Sequence, residues 1–391
     1  MMDRKRLLNC IFVFGLLLAG LAGLGKALLR PKAINYYENR YAAQPPALSA
    51  AAVLDGSFQD DMEAALADQI PSAQRLKKLV HLGFSSYQHA LLQPLAKRLP
   101  GRCITVGGLR YYQDYLLYWF RPLSREQAQL DKKIENYNAA YAAYPETEFY
   151  LYYIEKDTDF DPESGARSGI ADYLQANLAL PAERFGCFRV PDFEALREAF
   201  YRTDHHWNWR GSLRGYREML ALVAPEETPL EPLETRFVGS FSGSKASGRA
   251  LAAFREDFYA ARFGFPETAV RLNGVAERDY GAQEIFFSGE ATDRLSYSSF
   301  YGGDLGWVEF HVPSNAGKGS LLVVGDSFDN AVLKLLSAHF EDTYALDLRY
   351  YAVEMGQEFR LSEFLAAHPG VKVLLNGNVD YFVMDEFMLE G

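Results

Sequence analysis

The first strong pattern along the chain is one uninterrupted apolar run near its start. Leu7 to Gly25 carries no charge, and the basic cluster Arg4-Lys5-Arg6 precedes it. A helix of these nineteen residues rises by about 28 Å, which is close to the thickness of the hydrocarbon core of a bilayer. Positive charge ahead of such a run favours a cytoplasmic N-terminus. The pattern therefore predicts a cytoplasmic tip and a transmembrane signal-anchor over residues 1–32.

A cleaved signal peptide is the alternative interpretation of this run. Signal peptides have a shorter apolar region, followed by a polar stretch with a small-residue cleavage site. Here the apolar core is long, and the basic residues Lys26, Arg30 and Lys32 follow it, which favours an uncleaved anchor. Under both interpretations residues 33–391 lie outside the cytoplasm. No second apolar stretch approaches spanning length, so we expect a single-pass membrane protein.

The polar pattern after the apolar run predicts a connector and then one large domain. Residues 33–60 are rich in Ala, Pro and Gln, which is typical of a juxtamembrane connector. We expect this connector to extend over residues 33–75. Apolar residues then recur at helical spacing from Asp61 to Lys78, with an interruption at Pro71 that favours two short helices. We expect residues 76–391 to form the main domain.

Within the main domain, short apolar runs alternate with longer segments that are rich in helix-forming residues. This alternation predicts an α/β fold with a doubly wound, mainly parallel sheet that is flanked by helices. The predicted strands are Leu79–Leu82, Cys103–Val106, Phe149–Ile154, Leu321–Val324, Tyr344–Leu348 and Val371–Leu375. The predicted helices are Arg125–Tyr144, Phe193–Tyr201, Trp209–Val223 and Asn330–Phe340.

Composition narrows the function classes only slightly. The 391 residues carry a formal net charge of −11, which argues against a nucleic-acid binder, since that class shows a basic surface. Cys103 and Cys187 could pair in an exported domain, but spacing alone does not decide this. Neither a CxxC pair nor a Cys/His cluster points to zinc.

A serine follows the predicted strand Leu321–Val324 within a strand–turn–helix pattern. Ser327 lies in the segment Gly325-Asp326-Ser327, and the turn places its hydroxyl at the carboxyl edge of the sheet, where sites of α/β proteins form. The unpaired N–H groups of the helix that follows can stabilise an oxyanion. A helix N-cap is the alternative role for this serine.

A second polar motif supplies what a serine nucleophile requires. Asp204, His205 and His206 are consecutive, and residues two apart project to the same side of an extended segment. Asp204 can therefore orient His206 as the base, while His205 points away. A helix N-cap is the alternative role for Asp204, and a core histidine is the alternative for His206. A metal site is a third interpretation of the motif.

Taken together, these segments resemble the DHHW family of SGNH-hydrolase-like proteins, which are related to the periplasmic alginate O-acetylation enzymes. The most specific match is Thr203-Asp204-His205-His206-Trp207, and Gly325-Asp326-Ser327-Phe328 follows in the family's order. Further matching segments are Glu38-Asn39-Arg40 followed by Pro45, Asp68 to Arg75, Phe237-Val238-Gly239-Ser240 as a Gly-Ser turn, Tyr297 to Asp304, and Leu346-Asp347-Leu348-Arg349-Tyr350-Tyr351. The resemblance implies an SGNH-like catalytic domain over residues 76–391.

The resemblance also implies roles for individual residues. It implies a catalytic triad of Ser327, His206 and Asp204, in the family's order of Asp, His and Ser. For the oxyanion it suggests the backbone N–H of Ser327, with Gly302 or Gly303 as a second donor.

Three further residues are candidates for contacts with substrate. Asn378 falls where related proteins have an asparagine near the site. Arg349 is a candidate for holding substrate or an acyl oxygen, with a surface ion pair as the alternative. Trp207 is a candidate sugar platform, with packing beneath the site as the alternative. SGNH enzymes use separate Gly and Asn blocks, and the sequence does not place both of them.

The expected function is that of an extracytoplasmic O-acetyltransferase that acts on a cell-surface or exported polysaccharide. The resemblance implies an acyl-serine intermediate, no metal or other cofactor, and an acetyl donor supplied by a membrane-bound acyltransferase. An esterase with the same triad is one alternative. A non-catalytic protein that binds glycans or assists assembly is the other.

Overall fold

The chain divides into two compact units. The computed structural model describes residues 4–29, 31, 34–35, 40–69, 90–106, 108–247, 254–277 and 295–389. One unit contains Met1–Ser86 and Gly248–Ala250, and the other contains Tyr87–Ser247 and Leu251–Gly391. The predicted strand Leu79–Leu82, and the part of the Asp61 to Lys78 segment that follows Gln69, lie outside the described residues.

The described residues of the first unit form three helices and one pair of short strands. The helices are α1 (Arg4–Leu29), α2 (Ala50–Asp55) and α3 (Ser57–Gln69), and the strands β1 (Ile34–Asn35) and β2 (Arg40–Tyr41) pair antiparallel. Among the residues whose side chains are described, no helix is both long enough and apolar enough to span a bilayer. The membrane anchor over residues 1–32 therefore stays a prediction.

The second unit contains the elements that build the candidate site. Its strands are β3 (Cys103–Val106), β4 (Leu109–Tyr112), β5 (Tyr115–Leu117), β6 (Phe149–Ile154), β7 (Phe185–Phe188), β8 (Glu234–Phe241), β9 (Glu256–Arg262), β10 (Ala269–Leu272), β11 (Val275–Glu277), β12 (Trp307–His311), β13 (Ser320–Val324), β14 (Asp342–Leu346) and β15 (Lys372–Gly377). Its named helices are α4 (Leu123–Ala143), α5 (Ile170–Asn177), α6 (Phe193–Ala199), α7 (Trp209–Val223), α8 (Ser244–Ser247), α9 (Tyr297–Tyr301), α10 (Leu333–Ser337), α11 (Leu348–Met355), α12 (Leu361–Ala367) and α13 (Val379–Val383). Residues 90–98 are also helical. Short 3-10 turns lie at Ala182–Arg184, Pro313–Asn315, Asp329–Ala331 and Asp385–Phe387.

An eight-stranded sheet forms the centre of this unit, in the order β11-β10-β12-β14-β13-β15-β6-β7. The strands from β14 to β7 are parallel. At the other edge, β12, β10 and β11 continue the sheet with antiparallel pairing. The prediction of a mixed α/β fold with a mainly parallel sheet is therefore confirmed. Separately, β3, β4 and β5 form a small antiparallel sheet, and β8 pairs with β9.

Apolar layers cover both faces of the central sheet. Leu321 and Val323 of β13 belong to one layer and Leu322 and Val324 to the other, because successive side chains of a strand point to opposite faces. Helix α7 packs on the first layer and helix α4 on the second. Each such fully buried side chain contributes roughly 1.5–3 kcal/mol. Because both faces of the sheet are buried, the sequences of the parallel strands are continuous apolar runs.

Several local predictions differ from the structure. The predicted helix Asn330–Phe340 is divided into a 3-10 turn and α10, because Val332 adopts a φ of −117° between them. The segment Phe237–Ser240 is part of strand β8, with irregular pairing between Phe237 and Gly239, and does not form a turn. Cys103 and Cys187 are both free thiols.

Candidate active site

Three polar segments meet at the carboxyl edge of the parallel strands. Ser327 follows β13, Asp347 follows β14, and Asn378 follows β15. These strands are direct neighbours in the sheet, so the residues that follow them come together at one edge, as is typical of sites in open α/β sheets. The fold therefore brings together residues that are up to 51 positions apart in the chain (378 − 327).

The turn that carries Ser327 is held by its acidic neighbours. Asp326 accepts hydrogen bonds from the backbone N–H of Phe328 at its side chain (3.0 Å) and from that of Asp329 at its carbonyl (2.9 Å). Gly325 is required because a Cβ there would collide with the carboxylate of Asp329. Within the described part of the chain, the backbone N–H of Ser327 donates to no acceptor. That N–H is therefore available to an oxyanion.

Asp204, His206 and Ser327 form a continuous chain of hydrogen bonds. His206 Nε2 lies 2.7 Å from Ser327 Oγ, and His206 Nδ1 lies 2.6 Å from Asp204 Oδ1. Because an ionised carboxylate only accepts hydrogen bonds, Nδ1 carries the proton and Nε2 accepts the serine hydroxyl. All three side chains are buried. This is the geometry of a serine nucleophile with its base and an orienting carboxylate.

Asp204 is held in its ionised form. Its Oδ1 also accepts the backbone N–H of His206 (3.0 Å), and its Oδ2 accepts that of Ser244 (2.6 Å). Burial raises the pKa of Asp204, but the charge of His206 and these hydrogen bonds outweigh it and place the pKa well below its ordinary value. The carboxylate is therefore charged wherever His206 needs a counter-ion.

Aromatic rings fix the imidazole of His206 on both faces. The Tyr297 ring lies parallel to it at 3.8 Å between centroids, and the His205 ring lies at 3.8 Å on a tilted plane. Phe328, next to the serine, is 5.0 Å away. The ring thus has little freedom to rotate away from Ser327.

A second layer of contacts positions the loop that carries Asp204. The Glu256 carboxylate accepts hydrogen bonds from the backbone N–H groups of Arg202 (2.8 Å) and Thr203 (2.7 Å), and from the Thr203 hydroxyl (2.5 Å). The backbone N–H of Gly243 donates to the same hydroxyl (2.9 Å), and a Cβ on Gly243 would collide with Asp204. Strand β9 and the segment before α8 therefore determine where the carboxylate lies.

His205 does not point away from the site as the sequence predicts. Its ring lies against His206, and its Nδ1 is 2.6 Å from Ser244 Oγ. Burial and the charge of His206 place its pKa well below the ordinary value. The ligand atoms of Asp204, His205 and His206 lie within 4.8 Å of one another. However, Asp204 and three of the four ring nitrogens are already hydrogen-bonded within the protein, which favours a triad over a metal site.

A known protein family matches the segment of the chain that carries these residues. The family model described as DHHW protein matches residues 190–346, the segment that contains Asp204, His206 and Ser327. The resemblance to the DHHW family is thereby confirmed. No curated protein matches the chain in sequence.

Solved structures share the fold at low sequence identity. Bacillus cereus PatB1 with a sulfonyl adduct is 18% identical, with a TM-score of 0.55 over 72% of this chain and 97% of that chain. A DHHW family protein from Eubacterium siraeum is 16% identical, with a TM-score of 0.50 over 73% and 95%. The O-acetyltransferase domain of Pseudomonas putida AlgJ is 14% identical, with a TM-score of 0.39 over 73% and 94%. The first two likenesses show that this chain shares its fold with these two proteins.

The DHHW tryptophan supports the site from below and is not a sugar platform. Trp207 is fully buried and packs against Phe188 and Phe328. A Cβ at Gly211 or Gly215 of helix α7 would collide with it. The second interpretation of this residue, packing beneath the site, therefore agrees with the structure.

Gly302 does not supply an oxyanion donor. Its N–H donates to the carbonyl of Ser298 (3.0 Å), and Gly302 ends helix α9 in a left-handed conformation. Gly303 is also left-handed, with a φ of 76°. Neither glycine forms a hydrogen bond with Ser327 in the part of the chain that the structure describes.

Arg349 is a buried counter-ion and forms no surface ion pair. It binds the Asp347 carboxylate with two nitrogens, at 2.9 and 2.5 Å, and lies 3.6 Å from Asp304. Burial nevertheless raises the pKa of Asp347 to about 6, and it raises the pKa of Asp329 well above the ordinary value. Arg349 therefore balances buried carboxylates, and two of its three guanidinium nitrogens are engaged by Asp347.

Asn378 contacts Asp326, the residue that precedes the nucleophile. Its Nδ2 donates to Asp326 Oδ2 (3.2 Å), and its Oδ1 accepts the N–H of Asp380 at the start of helix α13. Asp380 in turn forms ion pairs with Lys156 and Arg121, both at 2.5 Å. The structure thus brings Asn378 to the site, although in contact with Asp326 and not with Ser327.

Proposed function

We propose that this chain is an extracytoplasmic O-acetyltransferase that modifies a cell-surface or exported polysaccharide through an acyl-serine intermediate. The observation that carries the proposal is the continuous hydrogen-bond chain from Ser327 through His206 to Asp204. Its position at the carboxyl edge of the sheet is the one from which an activated serine can reach substrate.

The first half-reaction transfers an acetyl group to the serine. His206 Nε2 takes the Ser327 hydroxyl proton as the oxygen attacks the carbonyl carbon of an acetyl donor. The bond from the acetyl carbon to the donor's leaving oxygen then breaks, and His206 returns its proton to that oxygen. Asp204 stabilises the imidazolium that exists between these proton transfers.

The second half-reaction repeats these steps with a sugar hydroxyl. His206 removes the hydroxyl proton, the sugar oxygen attacks the acyl-serine, and Ser327 leaves and regains a proton from His206. The negative charge on the carbonyl oxygen is met by the N–H of Ser327, which donates to no acceptor within the described residues. A preorganised donor of this kind contributes about 3–4 kcal/mol to the transition state.

The site of action and the donor are further parts of the proposal. The apolar run from Leu7 to Gly25 is proposed as the membrane anchor, with residues 33–391 on the extracytoplasmic side. An acetyl group on that side requires a carrier, so a membrane-bound acyltransferase is the proposed donor. Anchoring both proteins in one membrane raises their effective concentration.

The experiment measures covalent acetylation of the full-length chain. The protein is purified in detergent, mixed with p-nitrophenyl acetate, quenched, and weighed by intact mass spectrometry beside Ser327→Ala. The proposal predicts an added mass of about 42 Da, one acetyl group in place of a hydrogen, on the wild type alone. Ser337→Ala, which changes a buried serine ten positions further along, is the matched control and keeps the adduct.

The fate of the adduct separates the enzyme classes. Faster loss of the acetyl group with an added oligosaccharide, and appearance of acetylated sugar, supports the transferase. Loss to water alone, whatever sugar is added, replaces it with an esterase. A folded protein with neither adduct nor turnover replaces it with a non-catalytic glycan-binding protein.

A further inference from the structure

We infer that His205, the first histidine of the DHHW motif, binds the sugar acceptor through its Nε2–H and so directs the acyl group to sugar instead of water. This inference rests on the proposed acyl-serine chemistry. His205 is not a member of the triad of Ser327, His206 and Asp204.

One edge of the His205 ring is occupied and the other is accessible. Nδ1 is bonded to Ser244 Oγ at 2.6 Å, on the side where Asp204 lies. Nε2 has no hydrogen-bond partner among the described residues. It is also absent from the fully buried polar atoms without a partner, so solvent reaches it. The side chain is 27% exposed. Nε2 therefore lies at the accessible edge of the ring.

The contacts of Ser244 determine which proton that edge carries. The Ser244 hydroxyl has no other acceptor within hydrogen-bond distance in the described part of the chain. Its proton is satisfied when it points at His205 Nδ1, and a neutral imidazole that accepts at one nitrogen carries N–H at the other. His205 therefore presents a neutral Nε2–H donor to whatever occupies the mouth of the site.

The surrounding charges keep the ring neutral. Burial is the largest influence that disfavours a positive charge on His205, and the charges of His206, Lys156 and Lys245 act in the same direction. Asp204 opposes them, although its oxygens already serve His206 and the Ser244 backbone. A neutral donor suits an uncharged sugar hydroxyl better than it suits an anion.

The position of His205 matches the side from which an acceptor approaches. Its ring is in face contact with His206, the base that must take the acceptor's proton, at 3.8 Å between centroids. It also lies 6.0 Å from the ring of Phe328, the residue after the nucleophile. A sugar with one hydroxyl at His206 Nε2 can therefore place a neighbouring oxygen at His205. Water has no second oxygen with which to use this donor.

The test measures how one acyl-enzyme divides its acetyl group between acceptor and water. Full-length protein is acetylated with p-nitrophenyl acetate in the presence of glycerol or cellotetraose as probes, and acetylated probe and free acetate are quantified. Their ratio does not depend on how fast the acyl-enzyme forms. His205→Phe keeps a ring of similar size without the donor, and His311→Phe replaces a half-exposed histidine on β12 as the matched control.

The inference predicts a ratio about 3–10-fold lower in His205→Phe than in the wild type, the loss expected for one hydrogen bond, with a higher KM for the acceptor. Ser244→Ala, which releases Nδ1 and lets the proton move there, lowers the ratio in the same direction. His311→Phe keeps the wild-type ratio. An acyl-Ser327 whose ratio is unaltered by His205→Phe overturns the inference alone. A wild type whose acyl-Ser327 transfers to neither probe, and loses its acetyl group only to water, overturns the proposed transferase as well. Absence of any acyl-Ser327 overturns the proposed function as well.

Discussion

The ring of Tyr297 lies parallel to the imidazole of His206, with 3.8 Å between their centroids and 1° between their planes. Tyr297 begins helix α9, 91 residues after His206 (297 − 206). An aromatic face attracts a cation, so this contact strengthens when His206 becomes an imidazolium during the reaction. The tyrosine therefore both orients the base and stabilises its charged form.

The ring of Tyr297, and not its hydroxyl, is expected to support the reaction. Tyr297→Leu should lower kcat for acetyl-ester turnover by roughly 2–30-fold, which corresponds to about 0.5–2 kcal/mol of cation–π stabilisation. Tyr297→Phe keeps the ring and should stay within about twofold of the wild type. Steady-state kinetics on both variants test this, and equal losses in the two would contradict it.

Asp204 is expected to matter through the tautomer of His206. Asp204→Asn places an amide where the Nδ1 proton of His206 needs an acceptor, which favours the tautomer that cannot take the serine proton. We expect kcat to fall by roughly 10³–10⁴-fold, as in other serine triads. Circular dichroism controls for folding. A kcat within tenfold of the wild type, in a folded variant, would exclude Asp204 as the orienting carboxylate.

Glu256 is expected to act as a positioning residue. The two carboxylate oxygens of Glu256 accept the N–H groups of Arg202 and Thr203. Glu256→Gln replaces one of these oxygens by an NH2 donor, so one of the two N–H groups loses its acceptor. Unsatisfied buried groups of this kind cost about 1–3 kcal/mol, so both the free energy of unfolding and kcat should fall. Asp257→Asn, at the exposed neighbouring position of β9, removes the same charge and should change neither. Denaturant titration and kinetics on the two variants distinguish them.

The contribution of Asp159 to stability should fall as pH rises from about 4 to about 6. Asp159 is fully buried, and burial raises its pKa to about 6 despite hydrogen bonds from Lys156, Tyr153 and Ser168. Its ordinary value is about 3.9, so between these values this carboxyl binds more protons in the folded state than in the unfolded state, and its contribution to the free energy of unfolding decreases with pH. A shift of about two units corresponds to about 3 kcal/mol.

The variant Asp159→Asn should flatten this decrease, while Asp131→Asn at an exposed position should not. Asp380 contributes to stability over a different pH range. The charges of Lys156 and Arg121 outweigh burial and place its pKa at about 2, so its contribution is lost only as pH falls from about 4 towards 2. Urea titrations at pH 4, 5, 6 and 7 measure the slope. A slope between pH 4 and 6 that is the same in Asp159→Asn as in the wild type would contradict the account.

The sequence predicts well the features that depend on local pattern. Helix α7 has the predicted bounds Trp209 and Val223, and strand β6 has the predicted bounds Phe149 and Ile154. Both are long or strongly apolar and are delimited by polar residues, so local pattern and tertiary packing agree. The order of Asp204, His206 and Ser327 could be read in the same way, because each lies in a short and specific motif.

The residues that complete the site could not be read from local pattern. Glu256, Ser244 and Tyr297 contact the motif from 53, 39 and 91 positions away, and no spacing rule connects such segments. Burial also reverses simple expectations. The sequence predicts that Arg349 holds substrate or forms a surface ion pair, but the fold places it among buried carboxylates. A tryptophan that could bind sugar is instead covered by helix α7.

The most direct test of the account is whether Ser327 becomes acetylated. Full-length wild type and Ser327→Ala are treated with p-nitrophenyl acetate, digested, and mapped by tandem mass spectrometry. The account predicts an added mass of about 42 Da on the peptide that contains Ser327 in the wild type, no acetylated residue in that peptide in Ser327→Ala, and loss of the adduct when His206 is replaced by Gln. An acetyl group on another residue, or a folded wild type that turns over the ester with Ser327 unmodified and dispensable, would contradict it.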